Sequence, residues 1–303
     1  MKTYRANGKL LISGEYTVLD GSISLALPTQ RGQELCYEEN TSDILHWKSL
    51  DVEGRVWFEA QFNATDFSVL ECVDPQKANT LQEILIAAAG LSSAVKSFRG
   101  KVTTRLEFPN DWGLGSSSTL LCCVAQCFMI DAMALHFKVS NGSGYDIACG
   151  LNDTAITYQL SGNKAIVQPV DWNPSFKTSL FFVFLNIKQK SSREVRKYQE
   201  RKLQLDMASI VSKISVITKQ MMVADSITDF NNAIDKHEDI MSDVLGYPTV
   251  KALYFSDYTG AIKSLGAWGG DFILATGTSS DRSYFTDKGY EVVHEFTSLI
   301  LEK

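Results

Sequence analysis

The sequence predicts an α+β protein of two domains, and three observations support that prediction. Segments typical of strands fill roughly the first 60 residues and return after Gly150, whereas residues 192–260 are mostly helical in pattern. Strands and helices therefore come in blocks and do not alternate steadily, which favours the α+β class. The chain has 303 residues and 45% hydrophobic content, enough for two cores. We place the domain boundary near residue 160, giving domains over 1–160 and 161–303.

The N-terminal region contains four segments that are rich in β-forming residues and separated by glycine or polar residues. They are LLIS before Gly14, SISLALPT after Gly21, QELCYEE and RVWFEAQF. From Asn79 onwards the apolar residues recur at helical spacing. KVTTRLEFP then alternates as a strand that ends at Pro109, and the turn WGLGSSS leads into a long apolar helix, predicted from about Ser116 to His136.

The C-terminal half returns to strands before a long helical region. TAITYQL and KAIVQPV predict strands, and the nearly continuous apolar run SLFFVFLN predicts a strand covered on both faces. The segments KSLGAWGGDFILATG and GYEVVHEF predict two or three more strands.

Charge and composition exclude several classes of partner. The formal net charge is -6, which gives no general attraction for nucleic acid or for an anionic membrane surface. The N-terminus lacks a long apolar h-region, and no run approaches the ~20 apolar residues of a membrane span. We therefore expect a cytoplasmic protein with neither a nucleic-acid nor a membrane partner.

The six cysteines have no regular spacing, which indicates reduced thiols. Cys122, Cys123 and Cys127 lie close together in the apolar run TLLCCVAQCFMI. Cysteine in such a run behaves as a small hydrophobe, and a zinc site usually pairs C-x2-C with a second, distant pair. We therefore predict that these thiols pack in the core.

The strongest local signal for chemistry is the stretch PNDWGLGSSSTLL. Gly113 and Gly115 allow a tight turn and a close approach of the backbone to a ligand. The serines that follow open a helix, whose first N–H groups lack internal partners and attract anions, phosphate above all. A plain glycine turn with serine caps is the alternative interpretation.

Two familiar nucleotide motifs fit this chain poorly. Lys9 in NGKLLISGE lacks both the glycine spacing and the following hydroxyl of a P-loop. A dinucleotide fingerprint needs a small residue where Ser118 stands and an acid ending the next strand, yet the helical pattern continues past Asp131. Binding of NAD stays an alternative. Protein-kinase motifs and the G-x-S-x-G hydrolase elbow are absent from the sequence.

Three further stretches accompany this turn: ANGKLLISGEYTVLDG, KSLGAWGGDFILATG and NGSGYDIACG. The first carries Lys9 just before a predicted strand, the second concentrates glycines before a strand, and the third sets Asp146 among glycines. Each taken alone permits a structural explanation: a surface lysine, a tight turn or a helix cap.

Together and in this order, these stretches resemble the motifs of the GHMP kinases, the family of galactokinase, homoserine kinase and the mevalonate kinases. The first motif, P-G-K-x-x-x-x-G-E-H, has Asn7 for Pro and Tyr16 for His; the second, P-x-x-x-G-L-G-S-S-A, has Ser118 as the last small residue. The glycine-rich third motif ends in Asp271 and has Trp268 in place of a glycine. Gly144 to Ala148 spells GYDIA, the name of a bacterial branch, and NIKQKSSREV is similar to a substrate segment of mevalonate kinases.

The resemblance implies a two-domain fold, with an N-terminal domain like domain 2 of ribosomal protein S5 and a ferredoxin-like C-terminal domain. It implies ATP binding by the second motif, at Pro109, Gly113, Leu114, Gly115, Ser116, Ser117 and Ser118. It implies substrate binding by Glu15, Tyr16, Ser143, Gly144, Ser192, Arg193, Gly266, Ala267, Trp268, Gly269 and Gly270.

Asp146 and Lys9 are the catalytic residues that the resemblance implies. Asp146 would accept a proton from the acceptor, Lys9 would keep that carboxylate ionised, and Ser117 would bind Mg2+. Mevalonate-like members carry a second metal ligand, a Glu eleven residues before the base, where this chain has Leu135. Asp131, one helical turn earlier, is the possible substitute.

The implied activity is an ATP- and Mg2+-dependent small-molecule kinase acting on an alcohol or a phosphate, with mevalonate or phosphomevalonate as acceptor. An anionic acceptor would suit Lys188, Lys190, Arg193 and Arg196, although a solvated helix face is the alternative explanation for them. Two other functions stay open: a diphosphomevalonate decarboxylase, and a nucleotide-binding regulatory protein that has lost catalysis, which Leu135 and the altered motifs suggest. We expect a monomer or a homodimer.

Overall fold

The computed structural model describes residues 1–95, 97–162, 164–187, 191–266, 268 and 270–302, with the backbone alone over 191–193. The strands are β1 (Lys2–Ser13), β2 (Ser24–Glu39), β3 (Ile44–Leu50), β4 (Val56–Asn63), β5 (Val69–Cys72), β6 (Gly100–Leu106), β7 (Ile156–Ser161), β8 (Lys164–Pro169), β9 (Leu180–Phe184), β10 (Ile262–Ser264), β11 (Phe272–Thr276) and β12 (Val293–Glu295). The helices are α1 (Pro75–Leu91), α2 (Ser116–Phe128), α3 (Ala132–Val139), α4 (Tyr145–Gly150), α5 (Ser191–Arg201), α6 (Met207–Val223), α7 (Ile227–Leu245), α8 (Val250–Tyr254), α9 (Arg282–Asp287) and α10 (Phe296–Leu299).

The chain forms two compact units. The first unit comprises Met1–Gly8, Arg31–Asn110 and Leu114–Leu151, and the second comprises Lys9–Gln30, Asp111–Gly113 and Asn152–Lys303. The long strands β1 and β2 contribute residues to both units. A functional domain boundary near residue 160 stays a prediction.

The first unit pairs its strands in the order β5, β4, β3, β6 and the C-terminal part of β2, with β3 parallel to β6 and the other pairs antiparallel. Helices α1, α2 and α3 contact one another and bury a core that includes Trp47 and Phe62. Asp74 begins α1 because its side chain accepts the N–H of Lys77, and Pro75 suits the first helical position. This packing supplies the rigid base for the segments that follow β6.

The predicted helix from Ser116 to His136 is wrong in its extent. Helix α2 ends at Phe128, because Met129 takes a left-handed conformation with φ of 55°. Asp131 then caps α3, with its carboxylate accepting the N–H of Ala134 at 2.7 Å. A left-handed residue followed by an N-cap ends one helix and begins another, even where the apolar pattern continues.

The cysteines of α2 pack in the core of the first unit, as predicted. Cys122 and Cys123 are fully buried, and their thiols donate to the carbonyls of Ile147 and Gln33 at 3.6 and 3.4 Å. Burial raises the pKa of Cys123 to about 12 and that of Cys127 to about 11. Both thiols are therefore neutral at physiological pH.

The second unit contains a four-stranded antiparallel sheet in the order β10, β11, β9, β12. All five residues of β9 are buried, which confirms the strand covered on both faces that SLFFVFLN predicts. Strands β7 and β8 pair with each other, and β7 pairs with the N-terminal part of β2. Helices α5, α6 and α7 account for most of residues 192–260, as predicted.

The two N-terminal strands are longer than the sequence predicts. Lys9 lies inside β1, so the expectation that it precedes a strand is wrong. Likewise SISLALPT and QELCYEE belong to one strand, β2. Gly32 allows that continuity, because a Cβ there would lie 2.0 Å from the carbonyl oxygen of Ala6. Among the described residues, no helix is both long enough and apolar enough to span a bilayer.

Candidate active site

The N-terminus of α2 presents uncapped backbone N–H groups. Its N-cap is Gly115, which has φ of 92° and no side chain with which to cap the helix. The N–H of Thr119 makes the bond back to the carbonyl of Gly115 at 2.9 Å, so the preceding N–H groups at 116–118 have no acceptor within the helix. The hydroxyl of Ser118 turns back onto the same carbonyl at 2.9 Å. Backbone N–H groups and a helix dipole therefore favour an anion here.

A cavity of about 550 Å³ in the first unit brings this helix start together with the acid of NGSGYDIACG. Ser116, Ser117, Ser118 and Asp146 all line it. The remaining wall includes aromatic and aliphatic side chains, among them Trp47, Trp57, Leu81 and Ile84. A volume of this size, mostly apolar with a few convergent polar groups, is typical of a small-molecule site.

Asp146 lies in the first turn of α4, and α3 supports its position. Gly144, with φ of 82°, begins α4, and a Cβ on it would lie 2.5 Å from the Cε of Met133. The buried His136 donates from Nε2 to the carbonyl of Gly142 at 3.1 Å. The carboxylate of Asp146 accepts the N–H of Ile147 at 3.0 Å. The glycines thus allow a tight turn against α3, and this turn places the carboxylate of Asp146 in the cavity wall.

The same cavity has a polar group that the sequence reasoning missed. The indole N–H of Trp57 is buried and has no hydrogen-bond partner among the described atoms. The Nζ of Lys77 lies 5.4 Å from the centroid of the Trp57 ring and 2.9 Å from the carboxylate of Asp74. Glu83, on α1, also lines the cavity. No motif marks these residues, because strand β4 and helix α1 become neighbours only in the folded chain.

In the second unit, residues from three of the sequence motifs meet. The Nζ of Lys9 donates to the carbonyl of Gly113 at 2.8 Å. Gly113 has φ of 65°, and a Cβ on it would lie 2.2 Å from Oδ2 of Asp271, which itself has a positive φ of 31°. The lysine of the first motif and the aspartate of the third are therefore both packed against the first glycine of GLG.

Glu15 and Tyr16, predicted to bind substrate, are engaged inside the second unit. Glu15 is 2% exposed and accepts a hydrogen bond from the ammonium of the buried Lys263 at 2.7 Å. Burial raises the pKa of Glu15 to about 7, an effect that Lys263 opposes. The hydroxyl of Tyr16 accepts the backbone N–H of Trp268 at 2.9 Å, and burial raises its pKa to about 12. This geometry favours a supporting role for the Glu15 side chain over direct contact with a substrate.

The other predicted residues are placed as follows. Ser143 and Leu114 are buried, Pro109 lies between β6 and α2, Gly270 lies in a bend before β11, and Gly266 has φ of 71°. Trp268 is 7% exposed, and its indole donates to the carbonyl of Pro248 at 3.2 Å. Ser192 and Arg193 fall in the first turn of α5. Ala267, Gly269, Lys188 and Lys190 lie outside the described residues.

At position 135, where the resemblance implies a second metal ligand, this chain has a leucine without a donor atom. Leu135 is fully buried in the core of the first unit. The carboxylate of Asp131 caps α3, and Asp131 is not among the described residues that line the cavity. The oxygen donors that do line the cavity include Ser117, Asp146 and Glu83.

This chain is similar to known proteins in structure, whereas the sequence comparisons find no match. No family model matches the chain, and no curated protein matches it in sequence. Solved structures do match over almost the whole length. A Lin0012 protein from Listeria innocua superposes with a TM-score of 0.74 at 17% identity, over 95% of this chain and 94% of that one.

Two kinases match to a similar degree. The mevalonate kinase of Methanococcus jannaschii has a TM-score of 0.70 at 11% identity, over 100% of this chain and 98% of that one. The phosphomevalonate kinase of Streptococcus pneumoniae, in complex with phosphomevalonate and AMPPNP, has a TM-score of 0.70 at 15% identity, over 100% and 99%. The chain has the GHMP-kinase fold. The predicted α+β class is thereby confirmed. The fold is shared with these three proteins although their sequences are only 11–17% identical to this chain.

Proposed function

We propose that this protein is an ATP- and Mg2+-dependent small-molecule kinase, which transfers the γ-phosphoryl group of ATP to an alcohol or a phosphate. One observation carries the proposal: the uncapped start of α2 and the carboxylate of Asp146 line a single cavity. Phosphoryl transfer requires mainly the positioning of the reactants and the neutralisation of negative charge. A helix N-terminus supplies the second requirement, and a carboxylate beside it supplies a base.

The cavity suits a nucleotide in both size and chemistry. The N–H groups at the start of α2 would hold the phosphates, and the aromatic wall would hold the base. The buried indole N–H of Trp57 offers a hydrogen-bond donor to that base or to the ribose. Lys77 adds a cation beside the indole. A nucleotide would thus engage the uncapped N–H groups of α2 and the indole N–H of Trp57, which has no partner among the described atoms.

Mg2+ would be held by oxygen donors of the same cavity, among them Ser117. When bound, the ion neutralises charge on the phosphates of ATP. Glu83 is a further carboxylate in the cavity wall, whereas Asp131 is committed to α3 and Leu135 has no donor atom. The donor set present is therefore compatible with Mg2+ without the carboxylate expected at position 135.

The reaction follows from these positions. The acceptor oxygen forms a bond to the γ-phosphorus as the bond from that phosphorus to the bridging oxygen of ADP breaks. With an alcohol acceptor, Asp146 takes the hydroxyl proton; with a phosphate acceptor, no proton need be removed. Lys9 is held beside the glycine turn by its bond to Gly113 and supplies a fixed positive charge there.

Mevalonate and phosphomevalonate are the acceptors that we propose to test first. The support is the resemblance of the motifs, together with a fold shared with kinases of these two compounds. A galactokinase from Lactococcus lactis and a heptose 1-phosphate kinase share the fold as well, so sugars belong in the same panel. Arg196, exposed on α5, is the one member of the predicted basic group whose side chain the structure describes.

The deciding experiment is ADP release from the purified protein with Mg2+ and ATP, against mevalonate, phosphomevalonate, homoserine and sugars. With an alcohol as acceptor, replacing Asp146 with Asn should lower kcat by about 10²–10⁴-fold with little change in ATP affinity. Asp287→Asn, an exposed aspartate at the end of α9, is the matched control and should retain wild-type turnover. Equal turnover of an alcohol acceptor by wild type and Asp146→Asn would exclude Asp146 as the base.

The two alternatives give different outcomes in the same assay. A diphosphomevalonate decarboxylase would release CO2 from the diphosphate substrate. A nucleotide-binding regulatory protein, which the buried Leu135 suggests, would bind ATP yet release no ADP above background with any acceptor. ATP binding is measured separately by calorimetry, so the absence of turnover is informative.

A further inference from the structure

A buried glutamine of the first unit, Gln33, lines the cavity and belongs to none of the sequence motifs. It lies on β2 opposite Leu106, the last residue of β6, which lines the cavity as well. Gln33 is 3% exposed, and it shares the cavity wall with the three serines at the start of α2. Buried polar side chains normally satisfy their hydrogen bonds within the protein, so the bonds that Gln33 makes are informative.

Two contacts fix Gln33 against α2. Its backbone carbonyl accepts the thiol of Cys123 at 3.4 Å, and Oε1 of its side chain accepts the hydroxyl of Thr119 at 2.7 Å. Thr119 and Cys123 lie one turn apart on the same face of the helix. The second contact orients the carboxamide: its oxygen faces Thr119, and its NH2 group therefore lies on the other side.

The NH2 group of Gln33 has no acceptor among the described residues. Nε2 of a glutamine can donate two hydrogen bonds, yet within the described part of the chain this one donates none. A buried donor without an acceptor destabilises the folded protein, whereas an apolar side chain of the same shape would avoid that cost. A ligand that accepts a hydrogen bond in the cavity accounts for the glutamine.

Among the described residues that line the cavity, Lys77 is the one lysine or arginine. Its ammonium lies 2.9 Å from the carboxylate of Asp74 and 5.4 Å from the centroid of the Trp57 ring, so it belongs to the side formed by β4 and α1. In the described wall at the start of α2, the groups that can hold an anion are neutral donors. They are the backbone N–H groups at 116–118, the serine hydroxyls and the NH2 group of Gln33.

We propose that Gln33 is a phosphate-binding residue of this cavity, whose Nε2 donates to a non-bridging oxygen of a polyphosphate chain held at the start of α2. The inference rests on the proposed function in one respect, namely that this chain is the polyphosphate of ATP. The negative charge on the accepting oxygen makes such a bond stronger than one between neutral groups. The hydroxyl of Thr119 holds the carboxamide in the orientation that the bond requires.

The first test replaces the donor and keeps the acceptor. Gln33→Glu retains an oxygen for the hydroxyl of Thr119, loses the NH2 group and, at about pH 8, adds a negative charge, because the ordinary pKa of Glu is about 4.3. Calorimetry should show affinities for MgATP, MgADP and magnesium tripolyphosphate that are lower by about 10-fold or more. The affinity for adenosine, which has no phosphate, should change by less than about 2-fold.

Gln33→Met removes the donor without adding a charge. Its affinity for the same three phosphate ligands should also fall by about 10-fold, and by less than in Gln33→Glu. Gln168→Glu makes the matched change at an exposed glutamine on β8 and should bind all four ligands as the wild type does. Thermal unfolding without ligand checks that each variant is folded, and should Gln33→Met fail to fold, Gln33→Glu carries the measurement.

The second test observes the NH2 group itself in the full-length protein. Glutamine side chains are labelled with nitrogen-15, and the NMR signals of Gln33 are assigned by their absence in Gln33→Met. These signals should move when MgATP, MgADP or magnesium tripolyphosphate is added and should stay in place with adenosine. An equal movement with adenosine would show that Gln33 does not contact the phosphates, and the proposal would fail.

The outcomes separate this proposal from the proposed function. Wild-type affinity of Gln33→Glu for MgATP and tripolyphosphate would overturn the role of Gln33 and leave the kinase proposal standing. An equal loss for adenosine and MgATP would also overturn it, because Gln33 would then support the cavity as a whole.

The opposite combination is distinguishable as well. If the wild type binds MgATP and releases no ADP with any acceptor, the kinase proposal fails, while the Gln33 variants still decide which group binds the phosphates. If it binds tripolyphosphate but no nucleotide, the same variants decide with that ligand. A wild-type protein that binds neither ligand would overturn both proposals.

Discussion

The surroundings of a single residue determine which chemical role it can take, as three residues show: Asp146, Trp57 and Glu15. Asp146 and Trp57 line one cavity, the first as a carboxylate beside a helix start and the second as a buried donor without an acceptor. Glu15 is instead withdrawn from solvent and tied to a lysine. Burial thus favours a supporting role for one predicted ligand, and it makes a tryptophan without a motif a candidate for binding.

Trp57→Phe should weaken ATP binding by about 2- to 12-fold, since it removes one hydrogen bond worth about 0.5–1.5 kcal/mol while keeping the ring. Calorimetry with Mg2+ and ATP measures the change. Trp172→Phe provides the control, because that indole packs on Phe230 and Phe296 in the second unit. Unchanged affinity in Trp57→Phe would show that the nucleotide does not use this donor.

Glu15→Gln should alter how stability depends on pH. The pKa of Glu15 rises from 4.5 to about 7 on folding, so in that window the folded protein keeps a proton that the unfolded chain has released. The free energy of unfolding that this proton contributes is fully present below pH 4.5 and is lost as pH rises towards 7, by up to about 1.4 kcal/mol per pH unit. Gln cannot titrate, and so this contribution disappears.

Urea unfolding of both proteins across this window measures the effect. Titratable groups remote from Glu15 contribute equally to both proteins and cancel in the difference. Glu200→Gln, at an exposed position on α5, should follow the wild-type curve. A constant difference between wild type and Glu15→Gln from pH 4.5 to 7 would contradict the buried protonation.

Gly113→Ala should destabilise the protein more than Gly54→Ala does. Both glycines have positive φ, so both substitutions carry the backbone cost of about 1–2 kcal/mol. A Cβ at Gly54 meets nothing within 4 Å, whereas one at Gly113 meets the carboxylate of Asp271 at 2.2 Å. Overpacking adds about 1–3 kcal/mol, and thermal unfolding of the two variants should differ by that amount. Equal losses would mean that Asp271 moves away freely.

At the scale of elements, the break between α2 and α3 determines where α3 begins, and α3 supports the turn that carries Asp146. Asp131 ends the apolar run by capping α3, and α3 then supports the Asp146 turn through His136. The assignment of Asp131 as a cap, and not as a metal ligand, can be tested by two substitutions that differ only in capping ability.

Asp131→Ala should lose about 1 kcal/mol of stability, whereas Asp131→Ser should lose little, because serine is also a good N-cap. Neither change should alter the Mg2+ concentration at which turnover is half-maximal. Denaturant unfolding and Mg2+ titrations of ADP release measure the two properties. A higher Mg2+ requirement in Asp131→Ser would identify Asp131 as a metal ligand after all.

At the scale of the whole molecule, the two units should respond differently to nucleotide. The cavity belongs entirely to the first unit, so Mg2+ and ATP should slow amide exchange there, above all at residues 114–119 and in α1. The sheet formed by β9 to β12 should change little. Hydrogen exchange with mass spectrometry measures this, and protection confined to the second unit would contradict the proposed nucleotide site.

Local sequence determined the elements and the motifs. Local conformational preferences, which depend only on residues close in sequence, explain the strand and helix patterns, the glycines of GLGSSS and the apolar run of β9. The resemblance of the motifs then implied the fold, which solved structures share at 11–17% identity. The pattern failed at Met129, where a left-handed residue interrupts an apolar run without glycine or proline to mark it.

Only the tertiary structure decided which of these residues share a site. Trp57 and Lys77 lie on β4 and α1, and they reach the serines of α2 through packing across long sequence separations. Glu15 and Lys263 are 248 residues apart, and no local preference could reveal that the motif glutamate is buried against a lysine. Sequence spacing fixes what a residue can do chemically; burial and non-local contacts decide which of those roles is open to it.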